Sequence, residues 1–221
     1  MEFEVLGAVP PEHVRELLSI ARRRTFKREE VVFHHGDPAD SLQLIVKGRF
    51  AVRILTPLGQ SAMLAVHGPG EAFGELALLA PGSRRSATVS ALELSETFSV
   101  VRDEFFRLTT RHPGVKDCLL ALLAEQIRRA NEWIVVAHYL DAESRVRWAL
   151  LQLVATYQAG EEIAIPLTQE QLAEFSGTAR ATVNRVLREE AERGAVALER
   201  GRVRVLEPGE LERRVRGVPG V

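Results

Sequence analysis

The spacing of apolar residues changes character along this chain. From Phe26 to about Val101 it falls into short β-rich runs. Turn signals divide them: Gly36-Asp37-Pro38, Lys47-Gly48, Pro57-Leu58-Gly59, Gly68-Pro69-Gly70 and Pro81-Gly82. Such regular spacing predicts an antiparallel roll or jelly roll. Ahead of it, residues 10–24 (PPEHVRELLSIARRR) read as one short amphipathic helix. From Val115 to about Leu140 the period becomes helical. Leu120, Leu123, Ile127, Ala130, Ile134 and Ala137 alternate spacings of three and four. That is an a/d seam of about two to three heptads, suited to pairing with a second copy of the same helix. The alternative is a helix packed on its own roll.

The next periodic stretch predicts two short helices and a tight turn. Thr168 followed by Gln171 is a capping box, in which hydroxyl and amide each satisfy a backbone N–H. Leu172, Ala173 and Phe175 supply an apolar side. Gly177 suits the turn, and Thr178 is placed to cap the second helix. There, Val183, Val186 and Leu187 recur at helical spacing and predict a core face. Arg180, Ala181, Asn184, Arg185 and Arg188 fall on the opposite face, which carries no acid in this reading. A planar guanidinium matches O6 and N7 of guanine, so arginines presented this way suit the DNA major groove. Val196 to Leu198 and Val203 to Leu206 flank Glu199-Arg200-Gly201-Arg202 and predict a hairpin, the wing of a winged helix.

Composition narrows the classes. The 221 residues suffice for two modest domains, and 29 basic side chains nearly balance 30 acidic ones. Bulk charge therefore does not announce a nucleic acid, and the case rests on local placement. No stretch approaches the ~20 apolar residues of a membrane span. The start, MEFEVLGAVPPEH, lacks a signal-peptide pattern. The single cysteine, Cys118, excludes an internal disulfide, fits a reducing cytoplasm and cannot hold an iron–sulfur cluster alone. His34 and His35, as neighbours on a strand, would point to opposite faces, so the reading is of no metal site. No haem ligation is expected at His67.

One loop has the chemistry of an anion site. In Phe73-Gly74-Glu75-Leu76-Ala77-Leu78-Leu79, a turn of helix would offer free N–H groups. Downstream, Arg85 and Ser86 add a charged fork and a hydroxyl for a phosphate, and Glu75 can accept from a sugar hydroxyl. A surface Arg–Glu pair is the plainer alternative.

These segments together resemble the Crp/Fnr superfamily, and its cyclic-AMP receptor branch in particular, from about Phe26 to Leu206. LQLIVKGRFAVRI is similar to that family's early β-roll signature. FGELALL followed by RRSATV resembles its phosphate-binding cassette. HYLDAESRVRWALLQL resembles its hinge and first DNA-domain helix, and TARATVNRVL its recognition helix. The resemblance implies an α+β chain. A double-stranded β-helix (jelly-roll) effector domain spans 1–114, a long dimerisation helix 115–140 and a winged helix-turn-helix domain 141–221. It also implies residue roles. Glu75 would hold a ribose 2′-hydroxyl, while Arg85, Ser86 and the backbone N–H groups near Gly74 and Leu76 would hold the cyclic phosphate of cyclic AMP. Arg180 and Arg185 would contact guanines, with Arg188 on the same face. Thr168 and Thr182 would touch DNA phosphates, with Gln169 beside them. A homodimer on palindromic double-stranded DNA, with RNA polymerase downstream, follows from the same likeness.

The chain departs from that family at two places. The family's long helix typically presents Thr-Ser to the adenine; here the pair is Ala130-Asn131, of which only Asn131 can donate and accept. The family's first recognition arginine is typically followed by Glu, which accepts from cytosine N4. Here Ala181 follows, which predicts an altered preference at that base pair, on the scale of about 1–3 kcal/mol. The expected function is a cytoplasmic, homodimeric transcription regulator, an activator under cyclic AMP and not an enzyme. The alternatives are a regulator active without effector and controlled by its abundance, and a cyclic-nucleotide-binding module acting on a protein partner.

Overall fold

The structure is a computed structural model describing residues 3–56, 59–79, 82–158 and 163–215. Pro57, Leu58 and Pro81, named above as turn signals, lie outside those residues. The chain divides into two compact units, Met1–Ile54 with Leu64–Arg128, and Leu55–Met63 with Arg129–Val221.

The first unit opens with helix α1 (Pro11–Ile20), whose proline occupies the first turn, where no N–H partner is needed. Strands follow: β1 (Arg22–Phe26), β2 (Val31–Phe33), β3 (Ser41–Lys47), β4 (Phe50–Leu55), β5 (Ser61–His67) and β6 (Ala72–Phe73). After the single turn α2 (Leu76–Leu79) come β7 (Thr88–Ala91), β8 (Ser95–Val101) and helix α3 (Arg102–Arg111). The strands form two four-stranded sheets, in the orders β1-β8-β3-β6 and β2-β7-β4-β5. This is the antiparallel roll that the turn spacing predicts.

Phe26, Ile45, Phe50, Phe73 and Val89 form one core cluster of the roll. Leu42, Leu44 and Val100 join a second with Leu17, Phe105, Leu108, Val115 and Leu119 from the helices. β3 is therefore buried on both faces, and its pattern of continuous burial differs from simple alternation. Its one amide, Gln43, is bonded on both sides: it donates to Ser99 Oγ and accepts from Thr97 Oγ1.

Two local expectations differ from the structure, and one helix was not expected. The helix expected over 10–24 ends at Ile20, because Arg22 to Arg24 pair with β8 as an edge strand. Sheet pairing overrides the helical preference of the arginine run. His34 and His35 follow β2 instead of lying on it. The backbone N–H of His34 donates to Asp37 in a turn, and both histidines are exposed. Helix α3 was not anticipated; its apolar contribution is confined to a few buried positions, including Phe105 and Leu108.

Helix α4 (Gly114–Tyr139) matches the long helical period. The second unit continues with α5 (Ala142–Tyr157), β9 (Ile163–Ile165), α6 (Gln169–Ser176), α7 (Arg180–Glu192), β10 (Val196–Glu199), β11 (Arg202–Val205) and α8 (Pro208–Glu212). Asp141 caps α5 by accepting from Ser144 N–H at 2.7 Å. The end of α4 packs there through Trp133 stacked on Trp148, with Val136 and Leu140 buried beside Ala149. The wing is present: β10 and β11 pair antiparallel. β9 adds a third strand too short to show a period.

Candidate effector and nucleic-acid sites

In the first unit, β7 and the loop before it carry Arg85 inward. Only 6% of this residue is exposed. Its Nη1 donates to the carbonyl of Ser41 at 2.9 Å and, at 3.4 Å, to that of Gly74; Nη2 donates to Ser41 Oγ at 3.1 Å. Phe33 lies under the guanidinium, 4.0 Å from the carbon to the ring centre. Burial lowers the Arg85 pKa, partly offset by Asp40, Glu75 and Asp37. The charge thus sits in a place that favours additional negative partners. Arg85 Nε is buried and has no hydrogen-bond partner among the described residues.

Gly74 is required by this geometry. Its φ is +82°, and a Cβ there would stand 2.6 Å from Arg85 Nη1. Glu75 follows, buried, and its carboxylate makes no hydrogen bond among the described residues. Leu76 opens the single turn α2, whose first N–H groups have no partner within so short a helix. Gly74, Glu75, Leu76 and Arg85 are therefore brought together as the cassette expectation requires. Ser86 follows directly but is exposed. Asn131 and Ala130 are exposed on α4, in the second unit. Ser41 and Phe33 were not anticipated. They lie 44 and 52 positions before Arg85, and only the sheet topology brings them close.

In the second unit the helix-turn-helix forms as the sequence predicts. Thr168 and Gln171 make the reciprocal capping box. Gly177 ends α6 in the left-handed region at φ 59°. One detail differs: the residue before α7 is Ala179, without a side-chain cap, and the Thr178 hydroxyl bonds Ser176 Oγ at 2.8 Å instead. Val183, Val186 and Leu187 are buried, while Arg180, Ala181, Arg185 and Arg188 are exposed. Thr168 is exposed and Gln169 and Thr182 half-buried. The Thr168 oxygen accepts from Gln171 N–H, which leaves its own O–H free to donate.

The arginine face is not acid-free. Arg185 Nη1 donates to Glu143 Oε1 on α5, and Glu189 Oε1, one turn along α7, lies 3.5 Å away. The Glu143 carboxylate raises the Arg185 pKa by favouring its charged form. Arg180 and Arg188 have no hydrogen bond or ion pair among the described residues.

Sequence reading also missed the centre of this unit. Glu190, 0% exposed, accepts from Arg147 Nε at 2.8 Å and from Arg214, with Arg193 at 3.6 Å. A glutamate in the run Arg188-Glu189-Glu190-Ala191-Glu192 carries no signal of burial. Only its spacing of four from Val186 and three from Leu187 points inward.

Comparison with known proteins bears on both sites. The cyclic nucleotide-binding domain family matches residues 23–112, and the Crp-like helix-turn-helix domain family matches 144–214. The cyclic AMP receptor protein of Thermus thermophilus is 37% identical over 202 residues, 91% of this chain and 92% of its own. The chain belongs to the Crp/Fnr family. A second member of this family, the CRP-like cAMP-activated global transcriptional regulator of Mycobacterium tuberculosis, is 32% identical over 216 residues, 96% of each chain. Among solved Crp/Fnr structures, the Thermus thermophilus catabolite activator protein is 35% identical, with a TM-score of 0.55 over 96% of this chain and 98% of its own. FixK2 from Bradyrhizobium japonicum shares the fold at TM-score 0.80 and 18% identity, over 90% of this chain and 100% of its own. This Crp/Fnr chain is thus a two-domain transcription regulator, pairing a cyclic nucleotide-binding domain with a DNA-binding helix-turn-helix.

Proposed function

We propose that the protein is a homodimeric activator of transcription, controlled by cyclic AMP bound at the Gly74–Arg85 cassette. The observation that carries this reading is the buried, unpartnered Nε of Arg85 beside Gly74 and Glu75. A buried donor without an acceptor is costly, by about 1–3 kcal/mol, and an anionic oxygen relieves it. A cyclic phosphate fits, with the Glu75 carboxylate left to accept from the ribose. The names of the Thermus and mycobacterial relatives, each of which cites cyclic AMP, support the same ligand.

On DNA, Arg180 and Arg185 read guanines in the major groove of a palindromic site, and Thr168, Gln169 and Thr182 lie against the phosphates. Arg188 extends the same basic face. Ala181 brings no acceptor for cytosine, so selectivity at that base pair is relaxed. Ligand acts by population shift: it favours the conformation it binds more tightly, in which both recognition helices face DNA. RNA polymerase is the downstream partner, and the protein works in the cytoplasm. The boundaries that fit this reading are 1–114 for the effector domain, 115–140 for the dimer helix and 141–221 for the DNA-binding domain.

Calorimetric titration of cyclic AMP into the purified protein, with cyclic GMP beside it, tests the reading. Binding in the micromolar range or tighter, lost in Arg85→Ala with the fold intact, is the expected result. No heat at millimolar ligand would overturn it. That outcome would favour a regulator active without effector, for which Ala130, with no polar group to offer a base, is the motivating observation.

A further inference from the structure

We propose that Glu143 is a specificity-determining residue of the DNA interface, acting as the fixed anchor that orients Arg185 for a single base pair. This deepens the reading of Arg185 as a base-contacting arginine and rests on it.

The argument starts from which atoms are taken. Both carboxylates near Arg185 approach the same nitrogen, Nη1: Glu143 by a hydrogen bond, Glu189 at 3.5 Å. The other edge of the guanidinium, Nε with Nη2, makes no hydrogen bond among the described residues. That edge is itself a two-donor fork and suits the two acceptors of guanine. Glu143 therefore holds Arg185 without using its base-reading edge. An arginine side chain carries about 2 kcal/mol of rotamer entropy, so an arginine already held loses less on meeting DNA.

The anchor is itself supported in series. Glu143 sits in the first turn of α5, where the helix dipole favours a carboxylate. Its second oxygen lies 3.8 Å from Arg147 Nη1. Arg147 in turn donates to the fully buried Glu190. The sequence Glu190, Arg147, Glu143, Arg185 thus runs from the core to the reading surface, with alternating charge at each step. Exposure rises along it, from the enclosed carboxylate to the half-exposed guanidinium.

A carboxylate at this position has a second effect. DNA that receives Arg185 passes within one side chain of Glu143, and the negative charge disfavours phosphates that lack the matching base. Specific and non-specific binding are then separated from both sides.

The test is selection from randomised duplex DNA by the full-length protein, with cyclic AMP present and absent, for wild type, Glu143→Gln, Glu143→Asp, Arg185→Ala and the Glu143→Gln/Arg185→Ala pair. Glu143→Gln is expected to lower discrimination at the base pair lost in Arg185→Ala by roughly three- to tenfold, in the lower part of the range for directly coupled groups. It is also expected to tighten binding to unrelated DNA and steepen its salt dependence. Glu143→Asp restores part of the discrimination. In the Arg185→Ala background, Glu143→Gln adds no further loss at that base pair.

Unchanged discrimination in Glu143→Gln, or a loss of the same size without Arg185, overturns the proposal alone. Discrimination that improves in Glu143→Gln also overturns it, because Glu143 would then be blocking Arg185. A wild-type preference retained by Arg185→Ala, or no selected sequence in either condition, overturns the reading of Arg185 and the proposal together.

Discussion

Gly74 shows how much of a binding site can depend on one missing methyl group. Its left-handed φ and its approach to Arg85 each exclude a side chain. Gly74→Ala would force a non-glycine residue into the left-handed region, at about 1–2 kcal/mol, and push Cβ against Arg85 Nη1. The guanidinium would have to leave Ser41, which holds it on two atoms. Weakening of cyclic AMP binding by about 10- to 100-fold is expected, the scale of one charge-assisted hydrogen bond. Calorimetry reads this directly, and a Tm measured in parallel separates it from unfolding. An unaltered affinity would mean that Arg85 does not face the ligand. At this scale the sequence was legible where residues act through neighbours in the chain. Gly74, Glu75 and Leu76 are contiguous, and the capping box of Thr168 and Gln171 spans one turn. It was silent where a partner is distant: Ser41 reaches Arg85 only because β3 and the loop before β7 meet in the roll.

Among elements, the recognition helix α7 serves two masters. Its outer face carries Arg180, Arg185 and Arg188, and its inner face carries not only Val183, Val186 and Leu187 but also Glu190. Arg147 from α5 and Arg214 from the segment after α8 converge on that carboxylate. Three separate segments are thereby fixed around one charge. Glu190→Gln would take from the buried Arg147 guanidinium its hydrogen-bonded counter-charge and leave it only the longer approaches of Glu143 and Glu189, at 3.8 and 3.7 Å. Breaking a buried pair in this way costs about 3–5 kcal/mol, against at most about 1 kcal/mol for an exposed pair. Urea unfolding followed by the tryptophans of this unit, Trp133 and Trp148, should show a loss of that size. A loss under about 1 kcal/mol would show that the cluster is dispensable. Helix period gave the inner face of α7 correctly, yet could not reveal what holds a glutamate at an inward position. That depends on arginines from two other elements. The acid-free reading of the outer face failed for two different reasons: Glu143 comes from α5, out of reach of helix period, whereas Glu189 stands four positions after Arg185 on α7 itself and was legible.

For the whole molecule the open question is what covers α4. Leu120, Ile127 and Ile134 are spaced by seven and are 64, 62 and 54% exposed. Apolar residues repeating at one heptad position on a 26-residue helix are what a parallel two-helix seam uses. A second copy of the chain fits best, because each copy then buries the same stripe against itself and two recognition helices can meet half-sites about 34 Å apart. Ile127 lies mid-helix, so in a symmetric pair it faces its own counterpart. Ile127→Glu would place two carboxylates opposite one another in an apolar seam, while the single protomer, in which this side chain is already exposed, loses nothing. Sedimentation at micromolar concentration should give one chain's mass of 24.6 kDa in place of twice that. Circular dichroism should be unchanged, and binding to a palindromic site should fall to that of a half-site. If Ile127→Glu still sediments as a dimer, the seam lies elsewhere and the stripe on α4 serves another purpose.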